Sequence, residues 1–209
     1  MTTPLDVLLI ESHPGAGQAS AAFLTVAGHR VHRCHDLGDS GYACVGLSAD
    51  RQCPIDAHVD AAVLVRANGT TAPTPHEDGV RCAVRADVPV VEVGDGSADP
   101  YAAWVTLRTE ERSVTAACHA AVALARQPLV DAVLAKIAPI AREAGLDPDR
   151  LECSITVRWP DMDVSIVLPG PSDRRTEQAI GVRAYDALRS STSQYRTVNV
   201  NVGSLEADR

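Results

Sequence analysis

The chain has 209 residues, of which 45% are hydrophobic and 3% aromatic, and a formal net charge of −8. Domains commonly run to about 100–150 residues, so this length holds one ordinary core or two small ones, filled by Ala, Val, Leu and Ile in thin layers. Dividing after Thr109 gives 7 Arg against 13 acids before it and 12 Arg and Lys against 14 acids after it; phosphate-backbone binding wants clustered positive charge, so nucleic acid is not an expected partner.

Met1-Thr2-Thr3-Pro4-Leu5-Asp6 carries no basic n-region, and the apolar run Val7 to Ile10 is far shorter than a signal or membrane segment. A cytoplasmic protein without a membrane partner is expected. Six cysteines, Cys34, Cys44, Cys53, Cys82, Cys118 and Cys153, would mark a disulfide framework in a small secreted chain. This chain reads as neither small nor secreted, which leaves metal binding, redox sensing or plain burial.

Val7-Leu8-Leu9-Ile10 is a continuous apolar run of strand length, followed by Glu11-Ser12-His13-Pro14-Gly15 as loop and helix-start chemistry. A buried parallel strand and a helix over about Gly17 to Ala27 are predicted, with Gly28 ending the helix. His29 to Cys34 reads as a second strand, and Asp36 to Asp60 has weak helical periodicity. Ala61 to Val65 is a third buried run, and Asn68 to Pro75 is loop by composition. Val80 to Ala86 is a short helix, Val88 to Val93 a fourth strand and Tyr101 to Leu107 a candidate fifth. Strands alternating with helices predict an α/β fold, a doubly wound parallel sheet with both faces covered.

Glu110 to Ala144 is helical by pattern, with a break predicted at Gln127-Pro128 because proline biases the residue before it out of the helical region. That break divides the chain into a first domain, 1–126, and a second, 127–209. Pro139 is a candidate kink in the second helix. Leu151 to Trp159 and Asp163 to Leu168 read as strands, with Pro160-Asp161-Met162 as the hairpin turn. Arg174 to Leu188 is a helix capped by Ser172 or Asp173, and Tyr195 to Val202 alternates strictly. A small α+β domain of order helix-strand-strand-helix-strand follows.

Val7-Leu8-Leu9-Ile10-Glu11-Ser12-His13-Pro14 resembles the end of the first strand in receiver domains of bacterial response regulators, over a region of roughly residues 5 to 126. Receiver chemistry needs two acids there, an aspartate nucleophile ending the third strand, a switch hydroxyl and a lysine. Glu11 keeps one acid position and Ser12 occupies the other. The nucleophile position falls on Val65 or Arg66, the switch hydroxyl near Gly94, and this half contains no lysine. The resemblance therefore implies a pseudo-receiver, without phosphotransfer and without enzymatic activity. The second half resembles the small BON or alkaline-shock modules, through Val198-Asn199-Val200 in its last strand.

Two groups of residues carry candidate chemistry. His29, His32, Cys34, His35, Cys44, Cys53 and His58, with Cys82 from the next segment, supply ligands for zinc or, with four thiolates, an iron–sulfur cluster. Cys34, His35, Cys44 and Cys53 are the candidate metal ligands. They lack a Cys-x2-4-Cys knuckle, and a reversible Cys44–Cys53 disulfide or ordinary burial are the alternatives. Glu11, Ser12 and His13 stand at the carboxyl end of a parallel strand, where open α/β sheets place ligands. Gly15-Ala16-Gly17 lacks a full dinucleotide or phosphate-loop pattern. No Gly-x-Ser-x-Gly elbow accompanies Ser12, and neighbouring residues seldom pair as nucleophile and base.

The leading expectation is a regulatory adaptor that binds a protein partner or a second copy of itself. A metal- or redox-responsive sensor built on the cysteines is the alternative, and a small-ligand site at Glu11 to Gly17 a third.

Overall fold

Val7 to Ile10 and Ala61 to Val65 offer no polar position to turn toward water, and every one of these residues is buried. They form the interior of β1 (Asp6–Glu11) and all of β3 (Ala61–Val65). With β2 (Arg30–Arg33), β4 (Val90–Val93) and β5 (Val105–Thr109) they make one five-stranded sheet of order β2-β1-β3-β4-β5, parallel at every pairing. The structure is a computed structural model and describes residues 3–35, 44–47, 52–67, 69–94 and 100–204. By contact it divides into two compact units, Met1–Ala125 and Arg126–Arg209.

Alternation along the strands gives the sheet of the first unit two apolar faces. Val7, Leu9, Val63, Val65, Val91 and Val93 lie under Leu24 of α1 (Gln18–Val26) and under Val114, Cys118, Ala121 and Val122 of α4 (Val114–Glu143). The other face, with Leu8, Ile10, Ala62, Leu64 and Val90, packs against Val80 and Ala83 of α3 (Gly79–Arg85) and against Cys34, Val59 and Tyr101. Each fully buried Val, Leu or Ile contributes about 1.5–3 kcal/mol. The short α2 (Pro54–Ala57) precedes β3. Gly28, at φ +88°, terminates the first helix as glycine can without strain.

In and after the first unit, two departures from the sequence reading have a clear physical cause. The fifth strand starts at Val105, not Tyr101, because the Tyr101 carbonyl closes a turn by accepting from the amides of Trp104 (2.7 Å) and Val105 (3.2 Å) while its ring is buried. The helix predicted to break at Gln127-Pro128 instead runs from Val114 to Glu143 with Pro128 and Pro139 inside it. An internal proline costs one backbone hydrogen bond and about 3 kcal/mol. Burial of Val114, Cys118 and Val122 before it and of Val133, Ile137 and Ala141 after it offsets that cost.

In the second unit β6 (Glu152–Arg158) pairs antiparallel with β7 (Asp161–Leu168), and β7 pairs parallel with β8 (Thr197–Ser204). A parallel pair needs a crossover, and α5 (Arg174–Ser191) supplies it. Asp173 caps that helix by accepting from the Thr176 amide at 2.7 Å. Arg158 pairs directly with Asp161, so the turn is Trp159-Pro160 and Met162 is a strand residue, not a turn residue. The reason is burial: Met162 is fully enclosed among Val164, Ile166, Ile180 and Leu188. Among the described residues, no helix is long and apolar enough to cross a membrane.

Candidate functional site

Ser12 follows β1, and three hydrogen bonds hold it, two to the chain at the end of β3 and one to Thr74. Its amide donates to the Val65 carbonyl (2.9 Å), its hydroxyl accepts from the Ala67 amide (2.8 Å), and its carbonyl accepts from the Thr74 hydroxyl (2.8 Å). The Ser12 Oγ also lies 3.1 Å from Nδ1 of His13, a pairing that adjacency in sequence argued against. Ser12 is fully buried, so this hydroxyl ties the loop and offers no approach to a substrate.

Glu11 is also spent on structure. Its Oε1 accepts from the Gly17 amide at 2.8 Å, at the positive start of α1, and its Oε2 accepts from Arg33 Nε at 3.3 Å. A Cβ on Gly17 would lie 3.0 Å from Leu9 Cδ1 and 3.2 Å from Glu11 Cγ, so a side chain there would have to displace Leu9 or Glu11. His13 remains exposed beside this loop.

Immediately after β3, Arg66 turns inward. Its Nε donates to Glu77 Oε1 at 2.7 Å and its Nη2 to the Ala72 carbonyl at 3.0 Å. The second Glu77 oxygen accepts from the Thr74 amide (2.6 Å) and the Tyr101 hydroxyl (3.4 Å). The guanidinium also sits 5.9 Å from the centre of the Tyr101 ring. Burial, and then the Glu77 carboxylate, push the Tyr101 hydroxyl up to about 12. Thr74, Glu77 and Tyr101 escaped the sequence reading, although Thr74-Pro75-x-Glu77 has the Thr-x-x-Glu form of a capping box with proline at the first helical position.

The candidate metal ligands separate. Cys34 shares a face with Ile10, since both its Sγ and the Ile10 side chain lie within 3.3 Å of where a Gly79 Cβ would stand. The Val45 amide donates to the Cys34 carbonyl at 2.8 Å, which draws Cys44 to the end of β2. Burial, then Cys44, Cys53 and Cys82 as neighbours, push the Cys34 thiol up to about 12. All six cysteines are free. His35 belongs to the opposite face, edge-on to His76 at 5.3 Å in a small cavity with Glu11 and Arg33. His29 Nδ1 accepts from the Leu5 amide (3.0 Å) and His32 Nε2 meets Asp6 Oδ1 (2.8 Å), both toward the strand starts. Among the described residues, no three His, Cys, Asp or Glu side chains already close on one metal position.

The fold and site together define an α/β protein in which the described groups at the carboxyl ends of β1 and β3 are paired with one another. No family model matches the chain, and no curated protein matches it.

Proposed function

We propose that this chain is a non-enzymatic regulatory protein, a pseudo-receiver unit followed by a small BON-like or alkaline-shock-like module, acting by binding a protein partner or a second copy of itself. The observation that carries the reading is the Arg66–Glu77 ion pair at the end of β3. A receiver needs a carboxylate free to accept a phosphoryl group there, and here a cation neutralised by an enclosed glutamate stands in its place. The strand order β2-β1-β3-β4-β5 supports the resemblance, because it is the order of flavodoxin-like doubly wound sheets.

For the partner, the second unit offers β8 as a sheet edge beside a groove of about 550 Å3, with Val182, Tyr185, Val200 and Val202 on its apolar part and Arg174, Glu177 and Gln178 on its polar part. Edge strands and apolar grooves are both recurrent recognition surfaces. The test has two arms. Incubation with acetyl phosphate and magnesium is expected to leave the intact mass unchanged, and sedimentation across concentration is expected to show self-association weakened by Val182→Glu. A phosphoryl adduct would overturn the reading, as would a strictly monomeric chain that also yields no partner in crosslinking from its host.

A further inference from the structure

We propose that Cys34, Cys44, Cys53 and Cys82 form a four-thiolate site for a thiophilic metal centre, a zinc ion or an iron–sulfur cluster, at the end of β2. This site is separate from the Arg66–Glu77 network and stands whether or not the adaptor reading does.

Three chain segments meet at Cys34. The Val45 amide ties residues 44–47 to its carbonyl, and Cys44 is hydrogen-bonded to its side chain. Cys53 is held against that segment: a Cβ on Gly46 would stand 2.8 Å from Cys53 Cβ and 3.1 Å from its Cα, an approach only glycine allows. From the other side comes α3, where Gly79 admits the Cys34 sulfur to 3.0 Å of its missing Cβ, and Cys82 follows three residues later on the same helical face. Gly79 thus makes room for the Cys34 sulfur and Gly46 for the Cβ of Cys53.

The chemistry favours a cation. Four thiolates so gathered would repel one another without a cation between them. A divalent ion reverses this: four S–H protons leave, four metal–sulfur bonds form, and no oxidation state changes. A preassembled cluster delivered by a donor replaces the same four protons. Arg85 Nη2 lies 3.9 Å from Cys82 Sγ, placed to donate to a bound thiolate and offset the charge of the loaded site. His35 is excluded by facing the other side of the sheet. Because the sulfurs are gathered but not closed on one centre, loading turns them inward.

The full chain, purified without oxygen, is analysed for zinc, iron and acid-labile sulfide, and metal-free protein is titrated with cobalt(II). One zinc per chain without sulfide assigns a zinc site; iron with sulfide and visible absorbance assigns a cluster. In either case Cys53→Ser and Cys82→Ser are expected to lower metal content about tenfold or more, while His35→Ala and Cys153→Ser retain it. Alkylation of the unsubstituted protein covers the case of a variant that fails to fold: Cys44, Cys53 and Cys82 are expected to be protected together and released together by chelator. Protein that takes up neither zinc, cobalt nor iron with sulfide, or that keeps its metal in Cys82→Ser, overturns the proposal.

Discussion

Arg66 and Glu77 are joined at 2.7 Å with side chains 7% and 0% exposed, and each has further hydrogen bonds that complete its shell. Removing one partner strands the other charge away from water. Glu77→Ala is therefore expected to destabilise the first unit by about 3–5 kcal/mol, and Glu77→Gln by less. Urea denaturation measures both; a loss below about 1 kcal/mol for Glu77→Ala would mean that water reaches the pair.

Stability is expected to fall at alkaline pH. Burial pushes the Cys118 thiol up to about 12, and burial with the Glu77 carboxylate raises Tyr101 to about 12. In the unfolded chain these groups lose their protons near about 8.5 and 10. Between those values and about 12 the folded state binds more protons, so the slope of unfolding free energy with pH is negative. The contribution is complete below about pH 8.5 and lost as pH approaches about 12. Denaturation midpoints from about pH 8 to 11 should decline, less steeply in Tyr101→Phe; a flat profile contradicts the assignment.

Asp6 gives the opposite limb. Burial raises its carboxyl, but hydrogen bonds from Arg30 and His32 outweigh this and hold it below the usual range. Its stabilisation is present above its unfolded value, near about 3.9, and disappears as pH falls through the lower folded value. In urea melts Asp6→Asn should cost up to about 1 kcal/mol near neutrality and nothing once the folded carboxyl is protonated. Equal effects at both pH values would locate the loss in packing.

Gly79 has φ −55°, which any residue adopts, so the cost of a side chain there is one of space alone. Gly79→Ala places a methyl 3.0 Å from Cys34 Sγ and 3.2 Å from Ile10 Cγ1, and is expected to cost about 1–3 kcal/mol. Combining it with Cys34→Ala should recover part of that loss. Strict additivity in the double-mutant cycle would show that the two sites do not touch.

Met162 tests the position of the hairpin turn. As a fully buried residue of β7, its change to alanine is expected to cost about 2–5 kcal/mol, whereas an exposed turn residue would cost about 0.5 kcal/mol or less.

Much of the parallel sheet was legible because its interior strands are buried on both faces, and an uninterrupted apolar run such as Ala61 to Val65 has no other economical use. Boundaries were less so. Tyr101 to Leu107 reads as a candidate strand, and nothing nearby in sequence shows that the Tyr101 carbonyl closes a turn. Pro128 reads as a stop because the local rule is correct, while the burial that overrides it lies in residues up to fourteen positions away.

Sequence alone determined which residues follow the first and third strands, Glu11-Ser12-His13 and Arg66, and on the proposed pseudo-receiver reading these leave no carboxylate at the phosphoacceptor position, which falls on Val65 or Arg66. It also supplied the cysteines as candidates. Tertiary structure decided the rest. Arg66 finds Glu77 and Tyr101 across eleven and thirty-five residues, and Cys34 finds Cys82 rather than its neighbour His35. The physical reason is that Cys34, His35 and Arg66 lie just past the ends of β2 and β3, where the neighbours of a side chain are set by the helices and loops packed there, α3 and the 44–47 segment among them, and not by adjacency along the chain.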